Sequence, residues 1–166
     1  FEVEHTATRA RHAMKTLRGG FAFDPDAVSR FFLEADAIAR LTHPNVVAIV
    51  DLVDCPPWPP SFVMELLDGE TLADALEREQ VFALERAVGV AAAVASALAA
   101  AHAQALVHRD VKPDNVFLAL APSGGVTVKV LDFGVAKLLD DTVTRKHSTA
   151  IGRQIGTPGY MAPEQL

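Results

Sequence analysis

Apolar and polar positions alternate with two periods along this chain, and the change between them divides it. FEVEH and RHAMKTL, within residues 1–17, read as two short strands. GGFAFDPD breaks the pattern with Gly19, Gly20 and Pro25. Asp24 suits an N-cap and Pro25 the first helical position, so a helix is predicted from there to about Leu41. Val28, Phe31, Phe32, Ala35 and Ile38 supply its apolar spacing. VVAIVDLV (46–53) reads as a mostly buried strand. CPPWPP (55–60) is a turn, because prolines supply no ladder donor, and Trp58 reads there as a packing or edge residue. SFVMEL (61–66) is a further strand.

Beyond it the period becomes helical. GETLADALERE predicts a short helix with Thr71 as its cap, and an alanine-rich helix follows from Leu84. VFLAL and VTVKVL, joined by APSGG, read as strands, and 132–166 as mostly irregular. Strands with one helix therefore precede a helix-rich part, predicting an α+β chain of two packed units, 1–67 and 68–166.

Val88–Val107 carries no formal charge and is long enough to span a membrane. Its six Val and Leu residues give only about −2 to −4 kcal/mol on the insertion scale, before Gly89, Ser96, His102 and Gln104 subtract. Leu84, Val88, Val90, Val94, Leu98 and Leu106 also fall within an arc of about 160°. A helix packed in a soluble core is the expectation, with His102 on its apolar face as a core histidine.

The chain has 166 residues, 50% of them hydrophobic and 22% charged, with a formal net charge of −6. That is a globular balance, and an acidic chain lacks the basic footprint of a nucleic-acid binder. Cys55 is the single cysteine, so an internal disulfide and a CxxC centre are excluded. Phe1–Leu17 holds no signal-peptide core. The first residues already read as strand, so the sequence is expected to start part-way into a domain.

HRDVKPDN (108–115) concentrates polarity directly after the uncharged run. Asp110 can accept a proton, Asn115 can offer an amide oxygen to a hard cation, and Lys112 can neutralise developing anionic charge. Asp132, in LDFG at the end of the next strand, suits a magnesium site that carries phosphates. Lys15 lies in an apolar strand and Glu34 on the inner side of the first helix; a lysine reaching phosphates, steadied by a glutamate, completes a phosphoryl-transfer set.

HAMK at 12–15, LEA around Glu34, HRDVKPDN, DFG at 132–134 and APE at 162–164 stand in the order of the protein kinase family, which the whole chain resembles. Within it the likeness is to bacterial serine/threonine kinases of the eukaryotic-like type. The resemblance implies a two-lobed kinase fold and ATP with Mg²⁺ or Mn²⁺. It makes Asp110 the residue that orients the substrate hydroxyl and takes its proton. Asn115 and Asp132 would hold the metal, and Lys15, paired with Glu34, the α- and β-phosphates. Lys112 would meet the γ-phosphate, in the serine/threonine pattern. Met64 would guard the back pocket, Glu65–Leu67 form the hinge beside adenine, and Ala13 and Phe117 sandwich the ring. Ile49, Ile38, Phe133 and His108 would stack as the column of the active state, and Glu164 would brace the activation segment. Arg109 would read a phosphate there, on Thr149, Ser148 or Thr144, and Thr157 would contact the catalytic loop.

The chain departs from the family in two places. No GxGxxG precedes Lys15, and the sequence ends just after APE. Residues 1–166 therefore read as the middle of a kinase domain, truncated at both ends and inactive alone. Expected partners are serine- or threonine-containing proteins, including a second copy in autophosphorylation, and no nucleic acid. The expected location is cytoplasmic, with any membrane anchor outside these residues. The rival classes are a pseudokinase scaffold, which usually lacks the lysine or one of the two aspartates, and an aminoglycoside-type phosphotransferase, which normally lacks HRDxKPxN with APE.

Overall fold

A computed structural model describes residues 1–17, 19–121, 124–133 and 158–160. Its first sheet has four antiparallel strands in the order β1-β2-β4-β3: β1 Glu2–Glu4, β2 Arg11–Thr16, β3 Ile49–Val53 and β4 Ser61–Glu65. β2 and β4 pair with Ala13 opposite Met64 and Lys15 opposite Phe62. The second sheet, β5-β6-β7, comprises Gly69–Thr71, Val116–Leu120 and Val126–Val130. The two sheets fall on either side of Leu67.

Helix α1, Pro25–Ala39, starts as its sequence dictates: the Asp24 carboxylate accepts from the Asp26 amide at 3.0 Å, and Pro25 opens the first turn. Ala27, Phe31, Ala35 and Ile38 form its buried stripe. Phe31 packs on Phe62 of β4 at 5.4 Å between ring centroids, fixing the helix against the sheet. Helix α2, Leu72–Glu79, begins in a full capping box, with Thr71 and Asp74 each accepting from the other's amide. Helix α3 runs Leu84–His102.

One apolar cluster joins the two sheets. It combines Phe31, Ala35 and Ile38 of α1 with Phe62 of β4, Ala97 and Ala101 of α3, Val130 of β7, and Phe133. A second cluster, Ala75, Val116, Leu118 and Val128, lies under α2.

Three expectations are corrected. β3 is half exposed, with Val50 55% accessible, because it is an edge strand; only Val46 and Val47 before it are buried. Of the two readings of Trp58, packing is the one that fails, since the side chain is 72% accessible and outside both clusters. Helix α3 buries a narrow alanine seam rather than the whole apolar stripe: Leu84 and Val88 are 74% and 57% accessible, Val90, Val94 and Leu98 are half-buried, and His102 is exposed. Small side chains at Ala97 and Ala101 form the line of closest approach, and Val90, Val94 and Leu106 pack beside it only half-buried. α3 has the length and mean hydropathy, 1.5, of a membrane span. Its seam, packed on the cluster that also holds β7 and α1, is what places it here.

Candidate active site

The loop 108–115 is held from both ends. His108 is buried, its Nε2 donating to the Leu131 carbonyl at 2.8 Å while Nδ1 accepts from the Asp110 amide at 3.2 Å. Those bonds fix the tautomer, and burial depresses the imidazole's pKa. The Leu131 carbonyl and the Asp110 carboxylate oppose that shift. The ring packs on Phe133 at 4.7 Å between centroids, tilted by 43°. Arg109, at φ 62°, turns the chain so that Asp110 follows on the side of Asn115.

The Asn115 side-chain amide donates twice, to the Asp110 carbonyl at 2.8 Å and to its carboxylate at 3.1 Å. Both donor directions are thereby committed, which leaves the amide oxygen as the group to offer a cation. Lys112 lies 3.6 Å from the same carboxylate. The Leu131 amide donates to the Asn115 carbonyl at 2.8 Å. Leu131 is thus bonded to His108 and Asn115 together, and it brings Asp132 next to the loop that carries Asp110.

From the other sheet, Lys15 reaches Asp132 at 2.6 Å. Asp132 sits at φ 48°, a strained conformation for a non-glycine residue. Two polar sets result, Lys15 with Asp132 across the sheets and Asp110 with Asn115 and Lys112, and the Leu131 backbone connects them.

Glu34 stands differently from its expected partner. Lys15 is engaged with Asp132, and Glu34 Oε2 is buried with no hydrogen bond to any described residue. It lines a pocket of about 180 Å³ with Ile38, Leu106, Arg109 and Phe133. Burial raises the Glu34 pKa, and the Arg109 and Arg30 charges oppose the shift. A carboxyl whose pKa is raised on folding stabilises the fold below its unfolded value, and that contribution is lost as pH rises through the folded value. His108, with its pKa depressed, acts oppositely and costs stability as pH falls through the ordinary histidine range. Glu34→Gln removes only the first effect. Its Tm should exceed that of the parent by about 2 °C at pH 7, and the gain should vanish towards pH 4. Thermal melts of both proteins across that range check it; a gain that is equal at both pH values contradicts the burial account.

The remaining candidates are distributed as follows. Ala13 and Met64 face each other across β2 and β4, and Phe117 of β6 approaches the backbone at Gly69. Ile38 and Phe133 lie in the first cluster and Ile49 against it. The Glu65 amide donates to the Ala48 carbonyl at 2.9 Å, and Leu67 leads from β4 to β5. Gly134, Thr144, Ser148, Thr149, Thr157 and Glu164 lie outside the described residues. Among the described residues no cluster of three or more His, Cys, Asp or Glu side chains could hold a metal. Asp132 with Asn115 is a two-ligand set, which fits Mg²⁺ completed by water and phosphate oxygens. A groove of about 880 Å³ around Phe23, Pro57 and Trp58 contains none of the candidate residues.

Lys129 and Asn45 are polar residues whose connections sequence patterning did not reveal. Lys129 carries a signal, the one charge in VTVKV; Asn45 carries none that spacing would single out.

The sequence matches the protein kinase domain family model over residues 1–166. It is 43% identical over 162 residues to serine/threonine-protein kinase Pkn1 of Myxococcus xanthus, covering 98% of this chain and 22% of that protein. It is 48% identical over 160 residues to serine/threonine-protein kinase PkaB of Streptomyces coelicolor, covering 92% and 36%. The fold is similar to the crystal structure of the Mycobacterium tuberculosis PknI kinase domain, with a TM-score of 0.69 and 31% identity, over 81% of this chain and 54% of that one. The chain therefore spans about a fifth to just over a third of those curated relatives and about half of a solved kinase domain.

Proposed function

The chain belongs to the protein kinase domain family, and from that premise we propose that the protein of which it is part transfers the γ-phosphoryl group of ATP to serine and threonine hydroxyls of proteins. The single observation that supports this most is that the Leu131 backbone brings the Lys15–Asp132 pair next to the set of Asp110, Asn115 and Lys112. A pseudokinase or a small-molecule phosphotransferase accounts less well for all five together with the relatives' names.

In this reading residues 1–67 form the N-terminal lobe and 68–166 the part of the C-terminal lobe with the catalytic loop and activation segment. Asp132 and the Asn115 amide oxygen would hold Mg²⁺ or Mn²⁺, which when bound would neutralise charge on the phosphates. Asp110 orients the substrate hydroxyl and takes its proton. Asn115, by donating to the Asp110 carboxylate, fixes the direction in which that proton is accepted. Lys112 meets the γ-phosphate. Lys15 leaves Asp132 for the α- and β-phosphates and pairs with Glu34 when α1 turns inward. The present pairing is then the resting arrangement. Ala13, Met64, Phe117, Glu65 and Leu67 surround adenine. The location is cytoplasmic.

Incubating the full-length protein with Mg²⁺ and γ-labelled ATP tests the reading. Label in phosphoserine or phosphothreonine is expected; ATP consumption that labels no protein contradicts it. For regulation, Arg109 is the proposed reader of a phosphate on Thr149, then Ser148, then Thr144, with Thr157 contacting the catalytic loop. A phosphate adds about −1.5 to −2 charges and acceptors that an arginine binds in two-point geometry. Mass spectrometry should find autophosphorylation within 142–149; sites only elsewhere in an active enzyme contradict it.

A further inference from the structure

One oxygen of Glu34 is shut away from water without a partner. Its Oε2 makes no hydrogen bond with any described residue. Lys15 is held 2.6 Å from Asp132 instead. The carboxyl lines a pocket of about 180 Å³ whose walls include Ile38 of α1, Leu106 and Arg109 after α3, and Phe133 after β7. Two positive charges act on it, Arg109 first and Arg30 second. Neither bonds Oε2, and the Arg30 side chain donates to the Asp26 carbonyl at 3.0 Å. The other acid nearby on α1, Asp36, is paired with Arg40 at 2.7 Å. His108 lies behind Phe133. An ionised oxygen with no donor costs far more to hold away from water than a protonated carboxyl does. Burial accordingly outweighs both arginines and raises the Glu34 pKa.

We propose that Glu34 is a proton-linked latch: it rests protonated in its pocket and gives that proton up when α1 turns inward and the carboxylate pairs with Lys15. This role rests on the kinase reading, in which Lys15 leaves Asp132 for the phosphates of ATP. In the resting arrangement the proton sits on a Glu34 oxygen, and Lys15 is already an ammonium engaged by Asp132. The inward arrangement sets that ammonium against a Glu34 carboxylate. The O–H bond of Glu34 therefore breaks, its electron pair stays on the oxygen, and the proton passes to water. One proton leaves for each helix that turns. By linkage, a rise in pH through the resting value of Glu34 favours the inward arrangement, and a fall favours the resting one. The latch thus makes nucleotide affinity depend on pH through a residue that, at rest, touches neither Lys15 nor the Asp110 loop's carboxylate.

The test uses the full-length protein and Mg²⁺·ATP, with Glu34→Gln as the variant that keeps the shape and cannot titrate. Calorimetry in two buffers of different ionisation enthalpy counts the protons released on binding. Near about pH 5.5 the parent should release more protons per nucleotide than Glu34→Gln, and the two should converge near about pH 8. Across that range the parent's Kd should fall at least about threefold more than the variant's. Protons exchanged by ATP itself and by His108 are common to both proteins and cancel. Infrared difference spectra supply a readout that needs no binding by the variant. A protonated-carboxyl band should be present in the unliganded parent near about pH 5.5, missing from Glu34→Gln, and lost from the parent on addition of Mg²⁺·ATP. Equal proton release by parent and variant at every pH, or a parent spectrum without that band, overturns the proposal. A parent that binds no ATP overturns the kinase reading and with it the release step, while the band in the unliganded protein still decides whether Glu34 rests protonated.

Discussion

Asp110→Asn in the full-length protein is expected to lower kcat by about 10²–10⁴-fold while leaving Mg²⁺·ATP affinity within a few-fold of the parent. The substitution is isosteric. The Asp110 carbonyl that holds the Asn115 amide stays, and so does the His108 contact to the Asp110 backbone. What is lost is the carboxylate's capacity to take a proton and its charge pairing with Lys112 at 3.6 Å. Asp132→Asn should behave otherwise. It weakens the metal set and frees Lys15 from its 2.6 Å pairing, so loss appears in the binding isotherm before it appears in turnover. Calorimetric titration beside steady-state kinetics separates the two. Equal loss of ATP binding in both variants would contradict the assigned roles.

Gly69→Ala should produce the largest loss of stability. Gly69 opens β5 at φ 138°, a conformation that side-chain-bearing residues rarely adopt. A Cβ there would stand 2.2 Å from the Leu118 carbonyl oxygen, a backbone atom of the neighbouring strand that cannot swing away. Relief requires parting β5 from β6 where the chain crosses between the sheets. We expect a loss of about 3–5 kcal/mol, a large share of the roughly 5–15 kcal/mol that holds a domain together. Urea denaturation measures it, and a loss under about 1 kcal/mol would show that the crossing can relax.

Much of this arrangement was legible in the chain because local chemistry sets it. Asp24-Pro25 and Thr71 announce their helices, since an N-cap acts within three residues. The alternation of VFLAL and VTVKV marks a hairpin, and the polar loop after α3 stands out against the uncharged run before it. What escaped notice depends on distant partners. The exposure of β3 follows from its place at the sheet edge, which no residue within it encodes. α3 is apolar over a broad arc, yet only Ala97 and Ala101 are fully buried, while Val90 and Val94 pack against the clusters half-buried and Leu84 and Val88 stay exposed. The pairing of Lys15 with Asp132 rather than Glu34 is a choice between two carboxylates separated by nearly a hundred residues, decided by the orientation of α1. The Lys129–Glu65 bond likewise joins residues that sequence spacing cannot associate.

The site claim is tested most directly by a crystal structure of the intact kinase domain with Mg²⁺ and a non-hydrolysable ATP analogue. The expected result is a metal about 2.0–2.1 Å from oxygens of Asp132 and Asn115, with Lys15 moved from Asp132 onto the phosphates. Nucleotide bound elsewhere, with Lys15 still on Asp132, would contradict it.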